Sequence, residues 1–223
     1  MGELENKREK MVEHLVHAGY LSRREVISAM KKVPRHLFVP EEIRRYAYED
    51  TPLHIYEGQT ISAPHMVAMM LELIEIKEGQ RILEIGTGTG YHAALAAELT
   101  GEKGHVYTVE NNLKMYRFAS ENLKATGYDH IVTVIYGDGS KGLPEYAPYD
   151  RIFLTCAAPK VPPPILSQLK DEGILLIPVG GRFYQELYRY RKKGKNLEKE
   201  NFGGCIFVPL TGEYGYRFQW KNI

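Results

Sequence analysis

The sequence predicts an α/β fold: a doubly wound, mostly parallel sheet with a helical N-terminal segment and a strand-rich C-terminal extension. Three observations carry that expectation. Short apolar runs at 81–85, 105–109, 131–136, 151–154 and 173–178 alternate with amphipathic stretches at about 91–99, 112–126 and 162–169. Strands that alternate with helices argue for a parallel sheet covered on both faces. The first of these strands runs straight into a glycine-rich turn, Gly86-Thr87-Gly88-Thr89-Gly90, that opens a helix. Finally, a chain of 223 residues buries roughly 70–75% of its extended surface, enough for one substantial core.

The elements follow in order. Leu4, Met11, Leu15 and Ala18 recur at helical spacing until Gly19, which suits a C-terminal cap. Ser22 precedes Glu25 at capping-box spacing and opens a second helix through Ile27, Met30 and Val33, stopped by Pro34. Pro40 precedes a short helix at 41–46, and Pro64 starts another on Met66-Val67-Ala68-Met69-Met70-Leu71. From Gln80 the strand–helix alternation takes over. Past Gly180 the pattern is two strands, 184–191 and 205–210, around a turn at Lys192-Lys193-Gly194-Lys195, with no crossover helix. No repeat or Pro/Ser-rich linker divides the chain.

Composition excludes several classes of function. With 29 basic and 28 acidic side chains the formal charge is +1, so no global basic field points to nucleic acid or to anionic membrane. No apolar run approaches the roughly 18 residues of a membrane span, and the charged N-terminus lacks the apolar stretch of a signal peptide. Cys156 and Cys205 form neither a disulfide framework nor a C-x-x-C pair. His14-x-x-His17 has no third ligand at metal spacing, so no metal is expected. The basic-aromatic stretch at 189–195 reads as a solvated hairpin turn. The expectation is a cytoplasmic protein.

The glycine turn admits two frames. Gly88-x-Gly90-x-x-Ala93 fits a dinucleotide fingerprint, but its first glycine lies beyond the strand end at Ile85. Glu84-x-Gly86-x-Gly88-x-Gly90 starts at the strand end and carries an acid before the first glycine. Twenty residues after Gly90, the second strand ends at Glu110, whose carboxylate could accept from ribose hydroxyls in either frame. The third strand ends in Tyr136-Gly137-Asp138-Gly139. The acid–glycine pattern resembles motif I of the S-adenosylmethionine-dependent methyltransferases, in which an Asp at the third strand end lies by the adenine. That resemblance implies S-adenosyl-L-methionine, leaving as S-adenosyl-L-homocysteine. It also implies a site of Glu84, Gly86, Thr87, Gly88, Thr89, Gly90, Glu110, Asp138 and Gly139. A glycine turn that serves only tight helix–strand packing is the plainer alternative.

Upstream lies Gly58-Gln59-Thr60-Ile61-Ser62-Ala63-Pro64-His65-Met66. With this segment the chain resembles the protein-L-isoaspartate O-methyltransferases over almost its whole length. The likeness runs through Val33-Pro34-Arg35-x-x-Phe38-Val39-Pro40, the glycine loop, Gly137-Asp138-Gly139, Ala147-Pro148-Tyr149-Asp150, Ala157-Ala158-Pro159, Leu175-x-Ile177-Pro178-Val179-Gly180 and Val208-Pro209-Leu210. His92 stands where many members carry Gln. The resemblance implies a Rossmann-like methyltransferase fold in a single domain. Residues 1–65 would form the helical segment and serine loop, 66–180 the cofactor-binding core, and 181–223 the extension. It implies methyl esterification of isoaspartyl residues in damaged peptides and proteins by a monomeric enzyme, with closure of the ester to a succinimide and return to aspartate. It makes Ser62 the catalytic serine. It places substrate contacts at Thr60, Ser62, Ala63, His65, Val208, Leu210 and Thr211.

The chemistry suits these residues. The carboxylate freed by an isoaspartyl linkage titrates near roughly 3.5 and is already an anionic nucleophile at neutral pH. Methyl transfer from a sulfonium then needs alignment rather than a general base, and alignment supplies about 7–11 kcal/mol in favourable cases. Ser62, just before a helix, offers a hydroxyl beside free backbone N–H groups, an arrangement that serves either as a carboxylate site or as a plain helix cap. His65 holds the loop or meets the substrate backbone. Isoaspartate and aspartate differ in where one methylene lies, worth only about 1–3 kcal/mol. Selectivity must therefore come from pairing with the peptide backbone, for which 208–211, blunted by Pro209, is the candidate groove. A methyltransferase for RNA or a small molecule, a cofactor-binding module without turnover, and a nicotinamide oxidoreductase are the alternatives.

Overall fold

The structure, a computed structural model, describes residues 2–216. Helices α1 (Glu3–His17) and α2 (Arg24–Lys32) lead into two 3-10 turns, Arg35–Phe38 and Glu41–Tyr46. A two-stranded antiparallel ribbon, β1 (Leu53–His54) and β2 (Thr60–Ile61), delivers the chain to α3 (Pro64–Ile74). The alternating core follows as β3 (Arg81–Ile85), α4 (Tyr91–Thr100), β4 (His105–Glu110), α5 (Leu113–Ala125), β5 (Val132–Tyr136), β6 (Tyr149–Leu154), α6 (Pro163–Ser167) and β7 (Leu169–Gly180). A hairpin of β8 (Gln185–Lys193) and β9 (Asn196–Cys205) completes one seven-stranded sheet in the order β5-β4-β3-β6-β7-β8-β9. Strands β5 to β7 are parallel, and β8 and β9 antiparallel, as the predicted class requires.

Alternation along the strands explains the burial. Ile82, Val106, Val132, Phe153 and Leu176 face one layer, where they join Met11, Leu15, Val26 and Met30 of α1 and α2 and the alanines of α4. Leu83, Ile85, Val109, Ile152, Leu154 and Leu175 face the other, with Ile165 and Leu169. Residues with small side chains, Ala93, Ala94, Ala96 and Ala97, are fully buried on α4, which lets that helix lie close on the sheet.

The structure departs from the expected elements in three places. Ser22 does not cap α2: the N-cap is Arg23, and Ser22 donates its hydroxyl to Glu72 Oε2 at 2.9 Å. The predicted helix at 162–169 shrinks to Pro163–Ser167, because Leu169 is already paired with Tyr149 in the sheet. The second strand of the terminal hairpin is 196–205 rather than 205–210. Residues 206–210 form an extended crossing segment with one parallel bridge, Ala157 to Pro209.

The strand order reverses beside β3, which has β4 on one side and β6 on the other. Such a switch point opens a crevice at the carboxyl ends of the strands. The glycine turn sits there.

Candidate active site

Three glycines alternate through the loop after β3, with φ of +94° at Gly86, +55° at Gly88 and +87° at Gly90. Their reasons differ. A Cβ at Gly86 would lie 2.6 Å from Thr155 Oγ1, and one at Gly90 3.1 Å from the Leu123 side chain. A Cβ at Gly88 would meet nothing within 4 Å, so this glycine alone faces open space. Thr87 and Thr89 are buried in the loop: the Thr87 hydroxyl pairs with that of Thr108 at 2.7 Å, and Asn122 donates to Thr89 O at 3.0 Å.

The two carboxyls sit differently. Glu84 is wholly buried beneath the loop, where the Thr108 hydroxyl donates to Oε2 at 2.6 Å and Oε1 has no partner. Burial pushes its pKa up to about 8. Glu84 therefore supports the loop from within rather than lining the crevice. Glu110, at the end of β4, accepts from Gly88 N at 3.0 Å and from Asn112 N at 2.9 Å. Burial raises its pKa, against the opposing pull of those backbone N–H groups.

Asp138, after β5, accepts from Ser140 N and Oγ at 2.9 and 2.6 Å through Oδ1, and from Glu213 N at 3.0 Å through Oδ2. Burial works to raise its pKa, but these donors prevail and hold it low. Gly139 brings the chain against β3, since a Cβ there would lie 2.7 Å from Ile85 Cγ2, whereas the Cβ position of Gly137 is open.

The serine loop approaches from the other side. Thr60 pairs with His54 in the ribbon, Ala63 is buried, and Ser62 is half-buried between them. The N-cap of α3 is Ala63 and no side chain caps the helix, so Ser62 is not a cap. His65 is tied back to Asp50, whose Oδ1 lies 2.8 Å from its N–H and 2.9 Å from Nδ1.

Sequence reasoning gave no role to Arg35, which is wholly buried and donates from Nη2 to Ser62 O at 2.8 Å and from Nε to Ala47 O at 2.7 Å. Its guanidinium carbon lies 5.0 Å from the centre of the Tyr91 ring, one residue past Gly90. Burial lowers its pKa to about 10. The only signal was its place in the Val33-Pro34-Arg35 string, and spacing does not distinguish a buried arginine from an exposed one.

The C-terminal segment closes the crevice. Ala157 N donates to Val208 O at 2.8 Å and Leu210 N to Ala157 O at 2.7 Å. Asn111 Nδ2 donates to Thr211 Oγ1. The segment thus crosses the ends of β6 and β4, and Glu213 just beyond it reaches Asp138 after β5. Leu210 has its side chain buried, its N–H bonded to Ala157 and its carbonyl bonded by Tyr216 N. Val208 and Thr211 remain half-exposed.

Comparisons with known proteins agree with this arrangement. The model of the protein-L-isoaspartate(D-aspartate) O-methyltransferase family matches residues 6–215. A protein-L-isoaspartate O-methyltransferase of Hyperthermus butylicus is 51% identical over 218 residues, covering 94% of this chain and 90% of its own. One of Methanopyrus kandleri is 52% identical over 211 residues, covering 94% and 93%. Among solved structures, a protein-L-isoaspartate O-methyltransferase superposes with a TM-score of 0.84 at 33% identity, covering 93% of this chain and 67% of its own. A Plasmodium falciparum structure described as a β-aspartate methyltransferase in complex with S-adenosyl-L-homocysteine gives 0.82 at 27%, covering 92% and 98%.

Proposed function

The chain belongs to the protein-L-isoaspartate(D-aspartate) O-methyltransferase family, and from that premise we infer what its individual residues do. It is an S-adenosylmethionine-dependent carboxyl methyltransferase that esterifies L-isoaspartyl residues in proteins, the step that opens their repair.

The crevice fits the cofactor. Gly88 and Gly137 leave open the directions that a Cβ would fill, and the ends of β3, β4 and β5 meet there. The loop from Gly86 to Gly90, with Thr87 and Thr89, offers backbone to the methionine portion; Glu110 holds the ribose, and Asp138 with Gly139 flanks the adenine. Glu84 serves through the loop it supports. The bound cofactor supplies an electrophilic methyl on a sulfonium, and the protein's task is alignment.

Ser62 takes that task on the peptide side. Its hydroxyl has no hydrogen-bond partner among the described residues, because it does not cap α3. This observation carries the assignment: an unengaged donor beside a helix N-terminus is suited to orient an anionic carboxylate. Thr60, Ala63 and His65 shape the loop around it, while Val208 and Thr211 offer the opposite wall to the peptide backbone, with Leu210 anchoring that wall. The backbone amide nitrogen of the residue that follows in the peptide then attacks the ester carbonyl, methanol leaves, and the succinimide so formed hydrolyses in part to aspartate.

The test is methyl transfer from labelled S-adenosylmethionine to matched isoaspartyl and aspartyl peptides, with Ser62→Ala alongside. Labelling confined to the isoaspartyl peptide, with kcat/KM lowered about 10- to 100-fold in the variant, is expected for the loss of a hydrogen bond to a charged group. Full activity in Ser62→Ala would remove the serine from the mechanism.

One core layer reaches from Met11 to Phe207, which supports a single methyltransferase domain over the described residues; the last seven residues of the expected extension, 217–223, lie outside them. A net charge of +1 and, among the described residues, no helix long and apolar enough to cross a membrane support a cytoplasmic enzyme whose partners are damaged peptides and proteins, rather than nucleic acid or lipid.

A further inference from the structure

Arg35 is a buried cation that no carboxylate touches among the described residues; Asp50, which is paired with His65, acts on it only through space. Its side chain has no exposure, and its Nη1 has no hydrogen-bond partner. A buried guanidinium that lacks an anionic partner costs several kcal/mol. A methionine would fill much the same volume without that cost, so a position needing only bulk would gain from losing the charge. What arginine adds is a rigid planar fork of donors. Here one arm fixes Ala47 O, the other fixes Ser62 O, and the guanidinium carbon lies 5.0 Å from the ring centre of Tyr91, the first residue of the helix that follows the glycine loop. One side chain therefore touches both the segment proposed to hold the peptide and the element that carries the cofactor loop. Beyond Ser62 the loop is tied a second time, since Asp50, three residues after Ala47, holds His65.

We propose that Arg35 is a positioning residue for methyl transfer, fixing Ser62 relative to the glycine-loop helix and placing positive charge behind the segment that receives the substrate carboxylate. This inference rests on the reading of Ser62 as the substrate-orienting serine. The carbonyl direction of a residue sets where its side chain points, and a misplacement of about 1 Å in an aligned displacement costs on the order of 100-fold. The donors of the fork bond to Ala47 O and Ser62 O and to no residue of the glycine loop, so its action is expected on the peptide side of the reaction.

The test uses the full chain with Arg35→Met and Arg35→Lys, each alone and combined with Ser62→Ala. Three quantities are measured: kcat and KM for an isoaspartyl peptide, S-adenosylhomocysteine affinity by calorimetry, and melting temperature. In Arg35→Met the melting temperature is expected to fall by no more than a few degrees, relief of the buried charge offsetting the two carbonyls left without a donor, and the affinity to stay within about twofold, while peptide kcat/KM falls about 100-fold. Arg35→Lys, which keeps the charge but not the fork, should fall in between. In the Ser62→Ala background, Arg35→Met should add less than about threefold, because both changes disable one group. Peptide kcat/KM within twofold of wild type in both Arg35 variants overturns the proposal. So does loss that tracks melting temperature and cofactor affinity together, the behaviour of a merely structural residue, or losses that multiply in the double variant. A harmless Ser62→Ala would instead strike the serine assignment itself; a damaging Ser62→Ala beside a harmless Arg35→Met would strike only Arg35.

Discussion

The three loop glycines separate packing from ligand space at single positions. Gly86 has φ of +94° and a would-be Cβ 2.6 Å from Thr155 Oγ1, so alanine there is both strained and blocked. Gly88 has φ of +55°, within the left-handed region that other residues reach at about 1–2 kcal/mol, and its Cβ would enter open space. Gly88→Ala should therefore keep the fold, with a melting temperature only a few degrees lower, yet lose at least tenfold in S-adenosylhomocysteine affinity. Gly86→Ala should lose both. Calorimetry and thermal melting on the two variants decide, and a Gly88→Ala protein that binds normally would move the cofactor away from this glycine. The glycine pattern was legible in the sequence because positive φ and close approach demand that residue type. The complete burial of Glu84 and Arg35 was not legible. Burial is decided by what the rest of the chain lays over a residue.

At the scale of elements, legibility followed apolar patterning. Strand β3 lies where its apolar run placed it, and α3 starts at Pro64 as expected. The terminal hairpin shows the limit: β9 is mostly exposed and reads Asn196-Leu197-Glu198-Lys199-Glu200-Asn201, with no alternation to reveal it. The apolar run after Cys205 looked more like a strand than β9 did. It is instead the segment that crosses the strand ends, where Phe207 and Leu210 are buried and Ile206 is 78% exposed. One of its ties is Asn111, adjacent to Glu110; the Asn111 side chain donates to Thr211. Releasing that tie by Asn111→Ala or Thr211→Ala should raise the peptide KM several-fold, consistent with the loss of a neutral hydrogen bond of about 0.5–1.5 kcal/mol. The melting temperature should barely change, since both side chains lie outside the core. An unaltered KM in both variants would mean that 208–211 is not the peptide wall.

Among the whole molecule's buried titratable groups, Glu84 and His92 lie on the same face of the sheet and have opposing pH dependences. Glu84 has its pKa raised from 4.5 to about 8 by burial, with Glu110 adding to the rise and Thr108 resisting it. Its contribution to stability is full below 4.5 and is lost as pH rises toward 8, because the unfolded chain ionises first. His92, buried against Phe153 at a ring separation of 5.0 Å, has its pKa lowered from 6.5 to about 3 by burial, with the positive charge of Arg35 adding to the effect. Its contribution is full above 6.5 and is lost as pH falls toward 3, because the unfolded chain takes up the proton first. Between 4.5 and 6.5 both act at once, each with a slope of about 1.4 kcal/mol per pH unit but of opposite sign, and they cancel. From these two groups, stability should be level over that interval, fall below it through His92 and fall above it, up to about pH 8, through Glu84. Urea unfolding at intervals from pH 3 to pH 8 checks this in wild type, Glu84→Gln and His92→Gln. Glu84→Gln, which mimics the neutral acid and keeps an acceptor for Thr108, should abolish the decline above 6.5 and uncover a rise from 4.5 to 6.5. His92→Gln should abolish the acid limb and let the decline begin at 4.5. If both variants keep the wild-type profile, neither buried group governs it, and the limbs belong to groups elsewhere in the fold.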